Sequence, residues 1–215
     1  MFDCGVRIRD GVDEVTMDQT NKINGESLRY FEDEENFDLS GETDIGQVVL
    51  VNCSNVKIEN LDIAESTYGI QLYETNHSKV LGNNFSLHVR NGIRVDDSFN
   101  NTISGNHCSL GYGKGIQLSD SFNNTLSNNY LSSNSEKGIV MEYSHNNTLL
   151  NNLFEENQDG LYLTNSINNT IELNEINHVS DDGIQLVAAS HNNSLYGNIL
   201  CENEDAGITI LDSDH

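Results

Sequence analysis

Apolar and polar residues alternate along this chain in short runs, as in Gly115-Ile-Gln-Leu-Ser and Asn101-Thr-Ile-Ser, with Asn and Gly between the runs. Alternation at period two marks half-buried strands, and Asn and Gly mark the turns that separate them. No window sustains an i, i+3, i+4 apolar pattern over three turns, so helix is a poor fit. The runs also recur. Glycines stand at Gly46, Gly69, Gly92, Gly115, Gly138, Gly160, Gly183 and Gly207, at steps of 23, 23, 23, 23, 22, 23 and 24 residues. Five of them open near-copies of one phrase: Gly69-Ile-Gln-Leu, Gly92-Ile-Arg-Val, Gly115-Ile-Gln-Leu, Gly138-Ile-Val-Met and Gly183-Ile-Gln-Leu. A repeat of this length without helical signature predicts one solenoid turn per repeat. The expected fold is all-β: a single-stranded parallel β-helix with about 23 residues per coil. Right-handed winding is expected because parallel β connections are overwhelmingly right-handed.

Two asparagine rows support the stacking. One falls fourteen residues after the glycine at Asn60, Asn83, Asn106, Asn129, Asn152 and Asn174, with Asn198 one place late. The other falls nine residues after it, at Asn101, Asn124, Asn147 and Asn169, with Asn193 shifted likewise. Coils stacked about 4.8 Å apart turn such rows into ladders in which each amide donates to one neighbouring coil and accepts from the other. The glycines are expected to supply a backbone conformation that a Cβ would penalise. The absence of proline fits a chain in which nearly every N–H is needed for pairing.

The 215 residues are read as one β-helix domain with a narrow continuous core. Gly5-Val-Arg-Ile resembles the landmark phrase, and Gly207-Ile-Thr-Ile-Leu opens a coil that stops at His215, so both ends look cut. The expectation is a fragment of a longer solenoid, or a chain that makes end-to-end solenoid contacts, because bare solenoid ends are open strand edges. Residues 20–45 interrupt the repeat and are read as an excursion from the first coil, with Tyr30 and Phe31 packed down on the solenoid wall.

The stretch NKINGESLRYFEDEENFDLSGETDIGQVVLVNCSNVKIENLDI from Asn21, followed by Tyr68-Gly-Ile-Gln-Leu and the recurrent Asn-Asn-Thr turn, resembles the NosD-like right-handed β-helix proteins abundant in archaea. That resemblance covers nearly the whole chain. It implies a secreted or surface-attached parallel β-helix akin to carbohydrate-binding and sugar-hydrolase repeats, in an extracellular or periplasm-like location. Its historical label, periplasmic copper binding, brings no residue motif that matches here.

Charge narrows the partners. With 34 acidic and 10 basic side chains the formal net charge is −24, which argues against nucleic acid, whose phosphates need a basic face. The acidity suits either a wall solvated for high salt or the binding of divalent cations. Cys4, Cys53, Cys108 and Cys201 form no Cys-x-x-Cys pair and read as small apolar fillers. No apolar run is long enough to span a membrane, and no signal peptide is visible in this stretch.

The candidate chemistry is sparse. Seven histidines are scattered, and His145 and His191 share a slot with Phe99, Phe122 and Ile167, which marks packing rather than ligation. Methionine occurs only at Met1, Met17 and Met141, so a soft copper site is not expected. The outward positions after each glycine include Gln71, Arg94, Gln117 and Tyr162, and two residues further on, Tyr73, Asp96 and Glu142. These seven are the candidate ligand-binding residues. Arg94, Asp96 and Glu142 are also the candidate catalytic group, although the last two stand two coils apart, about 10 Å, outside the spacing glycosidases use. The polygalacturonase phrases Gly-His-Gly and Arg-Ile-Lys are missing, and the proline-containing epimerase phrase Asp-Pro-His-Asp cannot occur. Asp159, Asp181, Asp182, Glu204 and Asp205 lie just ahead of successive glycines and form an acidic corner that could hold Ca²⁺, the only cofactor anticipated. Most Asn-x-Ser/Thr sequons fall in the repeated turn, which already accounts for them.

The expected function is a non-catalytic surface module that binds a polysaccharide or cell-envelope glycan or supports an envelope layer. A polyuronate lyase, hydrolase or epimerase on the Arg94, Asp96, Glu142 face is the alternative. An accessory role in metalloenzyme maturation follows from the family label alone.

Overall fold

The computed structural model describes residues 4–8, 15, 17–18 and 20–211; Met1 and His215 lie outside them. Every regular element among the described residues is a strand. They form three sheets, one of ten strands and two of seven, each with a strand from every regular coil. The long sheet carries the glycine phrases, from Glu26–Glu32 and Ile45–Val51 through Ile116–Ser119 to Ile208–Leu211, in parallel register. The two short sheets contain three-residue strands such as Thr102–Ser104 and His107–Ser109. This is the parallel β-helix expected from the repeat. Its core is one continuous file of inward side chains, among them Ile93, Ile116, Ile139, Leu161 and Ile184 in one column of the long sheet.

Amide ladders hold the corners. Asn106 donates its backbone N–H (3.0 Å) and its side-chain Nδ2 (3.1 Å) to Oδ1 of Asn129, and its Nδ2 also donates to the Val80 carbonyl (2.9 Å). The pattern continues from Asn129 to Asn152, Asn174 and Asn198, and in the second row from Asn101 to Asn193. Asn60 does not belong to the first row. It is exposed, in left-handed conformation (φ 56°), at the corner position filled elsewhere by Gly82, Gly105 and Gly197, and the ladder begins where Leu61 N–H donates to Asn83.

The landmark glycines have a different cause from the one expected. Gly69, Gly92, Gly115, Gly138, Gly160 and Gly183 have no positive φ. Each lacks room instead. A Cβ on Gly160 would lie 2.5 Å from the carbonyl oxygen of Gly183, and one on Gly138 would lie 2.7 Å from that of Gly160 and 2.5 Å from the Phe154 ring. Close stacking of coils at this corner, not backbone handedness, selects glycine.

The segment read as an excursion is mostly coil. Glu26–Glu32 pairs in parallel with Ile45–Val51, and bridges from Glu35 to Ser54 and Asp38 to Lys57 carry the register on, nineteen residues per turn (Asp38 to Lys57) instead of 23. Shortening, rather than insertion, breaks the glycine count here. Only Lys22–Ile23 turns back, antiparallel to Glu26–Glu32. Tyr30 faces outward and Phe31 inward. The phrase at Gly5 is not a coil strand either. Residues 4–8 cross the outer face of the long sheet as a strap. Its Val6 N–H donates to Gln47 Oε1 (2.8 Å), and Val6 O accepts from both Gln47 Nε2 (2.7 Å) and Gln71 Nε2 (2.6 Å). Beneath it Ile8, Ile23, Leu28, Tyr30, Val49, Val51 and Tyr73 make a second, smaller apolar cluster.

Three substitutions test these causes. Asn129→Leu orphans buried donors on Asn106 and the Ile103 carbonyl, so it is expected to lower the unfolding free energy by roughly 3 kcal/mol or more, whereas Asn60→Gly stays within about 0.5 kcal/mol. Gly160→Ala is expected to cost about 1–3 kcal/mol by overpacking. Urea denaturation of the three variants measures all three effects.

Candidate functional site

The residues just before and after each glycine stand in columns on the long sheet. After the glycine, Gln71, Arg94, Gln117, Val140, Tyr162 and Gln185 are in register, and Tyr73, Asp96, Ser119, Glu142, Thr164 and Val187 form the next column out. The strap removes the first members from solvent. Gln71 is 1% exposed, donates Nε2 to the Val6 carbonyl and accepts the Ile8 N–H, and Tyr73 is buried in the outer apolar cluster. Neither can meet a ligand in this conformation, which corrects that part of the sequence reading.

The open face begins at Arg94. Its Nε binds Asp96 Oδ2 (2.5 Å), and one Nη donates to the Tyr68 hydroxyl (3.2 Å) with the guanidinium 5.7 Å from the Tyr68 ring centre. One coil on, Gln117 accepts from Asn91 Nδ2 (2.9 Å) and donates to Glu142 Oε2 (2.8 Å). Burial opposes, and the Asp96 carboxylate favours, the charge on Arg94; the balance lies above the ordinary arginine value. These groups line a cleft of about 480 Å³. Arg94, Gln117 and Glu142 from the expected set are therefore brought together, with Asp96 behind Arg94. Tyr162 lies outside the lining, under the Lys137 ammonium at 4.8 Å.

Arg7, Arg90 and Lys114 line the same cleft, with Tyr68, Asn91, Gly113 and Glu136. Four of the chain's ten Lys and Arg side chains thus converge on one cleft. The sequence reading missed them because it scanned the positions ahead of the glycines for acids alone. Read up the stack, that column runs Asn91, Lys114, Lys137, Asp159 and Asp182: neutral first, then cationic, then acidic. Arg7 had no readable signal, since the strap that carries it is held by long-range bonds to Gln47 and Gln71, outside the repeat.

At the acidic end, carboxylate oxygens of Asp159, Asp181 and Asp182 come within 4.8 Å of one another. Asp159 is fully buried and ion-paired to Lys137, and it also accepts the Asp182 N–H (3.2 Å). Asp182 accepts from Gln185 (2.8 Å) and Thr209 (2.6 Å). Burial, then the charges of Asp159, Asp182 and Asp205, pushes the Asp181 carboxyl up. Glu204 and Asp205 stand one coil further on and are not part of the trio. The counter-charge closest to hand is the protein's own Lys137.

The histidines occupy separate places. His77 meets Phe99 edge-on at 5.4 Å, on the ring that Phe122 stacks against at 5.3 Å; His107 lies tilted on Tyr130; and His145 Nδ1 accepts the Ile167 N–H. Met141 is in the core, and burial pushes the Cys53 and Cys108 thiols up, leaving them protonated fillers. Among the described residues no histidine, cysteine and methionine set converges, so the soft donors copper requires are not assembled. No described helix is long and apolar enough to cross a membrane.

A family model described as Periplasmic copper-binding protein (NosD) matches residues 28–214. No curated protein matches the chain by sequence. Among solved structures, the D317A mutant of the periplasmic alginate epimerase AlgG is similar at TM-score 0.62 and 16% identity, over 85% of this chain and 50% of that one. The Dettilon tailspike protein gp208 is similar at TM-score 0.58 and 17% identity, over 79% of this chain and 42% of that one. The chain spans half or less of the length of these structures. At such identities the likeness is one of fold.

His88, beside the cleft wall, gives a pH test. It is buried in the column Ser66, His88, Gly111, Asn134, Asn157, where Nδ1 meets Ser66 Oγ (3.1 Å) and Nε2 has no partner. Burial pushes its imidazole down to about 4 from an ordinary 6.5. Between those values the unfolded chain takes up a proton that the folded chain refuses, so stability falls as pH drops through 6.5 toward 4, by about 3 kcal/mol from this group. His88→Asn is expected to remove that slope, seen as the difference between the two chains' denaturation midpoints at pH 7 and pH 4.5.

Proposed function

From the premise that the chain belongs to the NosD family, we propose that it is a periplasmic or cell-surface β-helix that binds a polysaccharide in the Arg94–Gln117–Glu142 cleft without cleaving it. The convergence of guanidinium, ammonium, amide, hydroxyl and carboxylate groups on one open sheet face carries this reading, because sugars are gripped by such dense hydrogen-bonding sets. The fold shared with an alginate epimerase and a tailspike supports an elongated ligand lying along the coils.

The carboxylates are poorly placed for turnover. Asp96 is held against Arg94 and Glu142 against Gln117, and the register of their shared column sets them two coils apart, about 10 Å. Inverting glycosidases use about 6.5–9.5 Å and retaining ones about 5–5.5 Å. No histidine lines the cleft. Copper has no matching donor set, so no step is assigned to it.

Affinity electrophoresis against a panel of neutral and acidic polysaccharides tests the proposal, alongside an assay for new reducing or unsaturated ends. Retention of at least one polymer is expected, without product. Lys114→Ala combined with Gln117→Ala should weaken it roughly tenfold, since charged hydrogen bonds contribute about 1.5–3 kcal/mol. No retention of any polymer sinks the binding reading. Product formation that Asp96→Asn abolishes replaces it with an enzyme.

A further inference from the structure

We propose that Arg90 is the cleft's receptor for an oxyanion carried by the sugar, a uronate carboxylate or a sulfate ester, so that the site selects acidic over neutral polysaccharide. This inference rests on the binding reading above and adds the ligand's charge.

Three observations carry it. First, two of the three other cations that line the cleft are already matched: Arg94 is paired with Asp96, and Lys114 with Glu136 at 3.2 Å. Among the described residues Arg90 has no carboxylate partner, and its Nε is buried with no hydrogen-bond partner. A buried, unsatisfied guanidinium N–H is costly, and natural folds rarely leave one without a use. Second, a space is built beside it. Arg90, Gly113 and Glu136 occupy one column on successive coils, as Glu136 N–H donates to the Gly113 carbonyl (3.2 Å) and a Cβ at Gly113 would strike the Arg90 carbonyl. The backbone thus forbids a side chain at 113, and the cleft is open between Arg90 and Glu136. Third, the remaining wall is cationic or neutral at that end: the strap brings Arg7, and Asn91 and Tyr68 add an amide and a phenol.

The chemistry then follows from the shape of the group. Nε–H and the adjacent Nη–H of a guanidinium form a side-on fork, and two parallel N–H···O bonds fit one planar carboxylate or two oxygens of a sulfate. A neutral sugar can offer the fork only single hydroxyl oxygens, without the planar pair of acceptors, and gains nothing from the charge. Glu136 and Glu142 on the opposite side repel a second close anion, so the cleft accepts one oxyanion at this point along the chain.

The test uses the full chain and three matched probes: uronic-acid oligosaccharides, the same oligosaccharides with their carboxyls reduced to alcohols, and sulfated oligosaccharides. Calorimetry is run on the wild type, Arg90→Gln and Arg90→Lys, with thermal melts to confirm folding. One acidic probe is expected to bind roughly 10–100-fold more tightly than the reduced one, in line with about 1.5–3 kcal/mol for a charged hydrogen-bonded pair. Arg90→Gln should bind acidic and reduced probes alike. Arg90→Lys should recover only part of the preference, because it restores the charge without the fork. Whichever acidic probe shows the Arg90-dependent gain identifies the oxyanion. Equal binding of reduced and acidic probes by the wild type, or an acid preference that survives Arg90→Gln, overturns this inference and leaves polysaccharide binding standing. Failure of every probe and polymer to bind removes both.

Discussion

In-register stacking is the constraint from which everything else follows. A coil can lie on its predecessor only if each inward slot accepts the same kind of group at a spacing of about 4.8 Å. Aliphatic side chains satisfy this in the core and Asn at the corners, where each Oδ1 accepts two donors from the coil before. Glycine satisfies it where carbonyl and core ring press on the same Cα. The ladders are closed chains of buried amides, so a break at any rung leaves unsatisfied groups on both sides. This explains how a chain with only 36% hydrophobic residues and a narrow core holds one structure.

The same constraint leaves the outer face free. Side chains that point away from the stack need no match with the coils above and below, so chemistry can change along a column while the fold does not. Cations at Lys114 and Lys137 give way to carboxylates at Asp159 and Asp182 in one such column, and Lys137 joins the two halves through its pair with Asp159. The cleft lies on the cationic half, bounded at one side by the strap that Gln47 and Gln71 clamp by their amides. Function, on this reading, is written in departures from the repeat.

That division also explains what could be read in advance. The fold, the coil length, both ladders and the outward columns were legible because in-register stacking repeats itself seven times in the sequence. The nineteen-residue coil was not: without its glycine phrase, Glu26–Glu32 shows no period to count. Asn60 matched the count but not the register, since Gly46 stands one place ahead of the glycine column, whose place in that coil falls to Gln47. Arg94, Gln117 and Glu142 could be placed together from column position alone. Arg90 and Arg7 could not. Arg90 sits in the corner loop two places before the glycine, and Arg7 arrives by a long-range contact that no spacing encodes. Gln71 and Tyr73 were counted as open for the same reason: nothing in a repeat announces what will cover it.

The electrostatics of a cationic cleft on a chain of net charge −24 have a consequence for selectivity. At low ionic strength the acidic wall repels any polyanion at long range. At physiological salt, screening over about 8 Å removes most of that repulsion, while contacts inside a partly enclosed cleft are screened far less. An acidic polymer then gains nothing by lying along the wall at random and gains only where it meets the matched fork and amides of the cleft. A basic protein with the same cleft would attract polyanions everywhere and discriminate poorly. Under the proposed binding of an acidic polysaccharide, the surrounding negative charge works as the selective element, and the few cations act as the point of attachment.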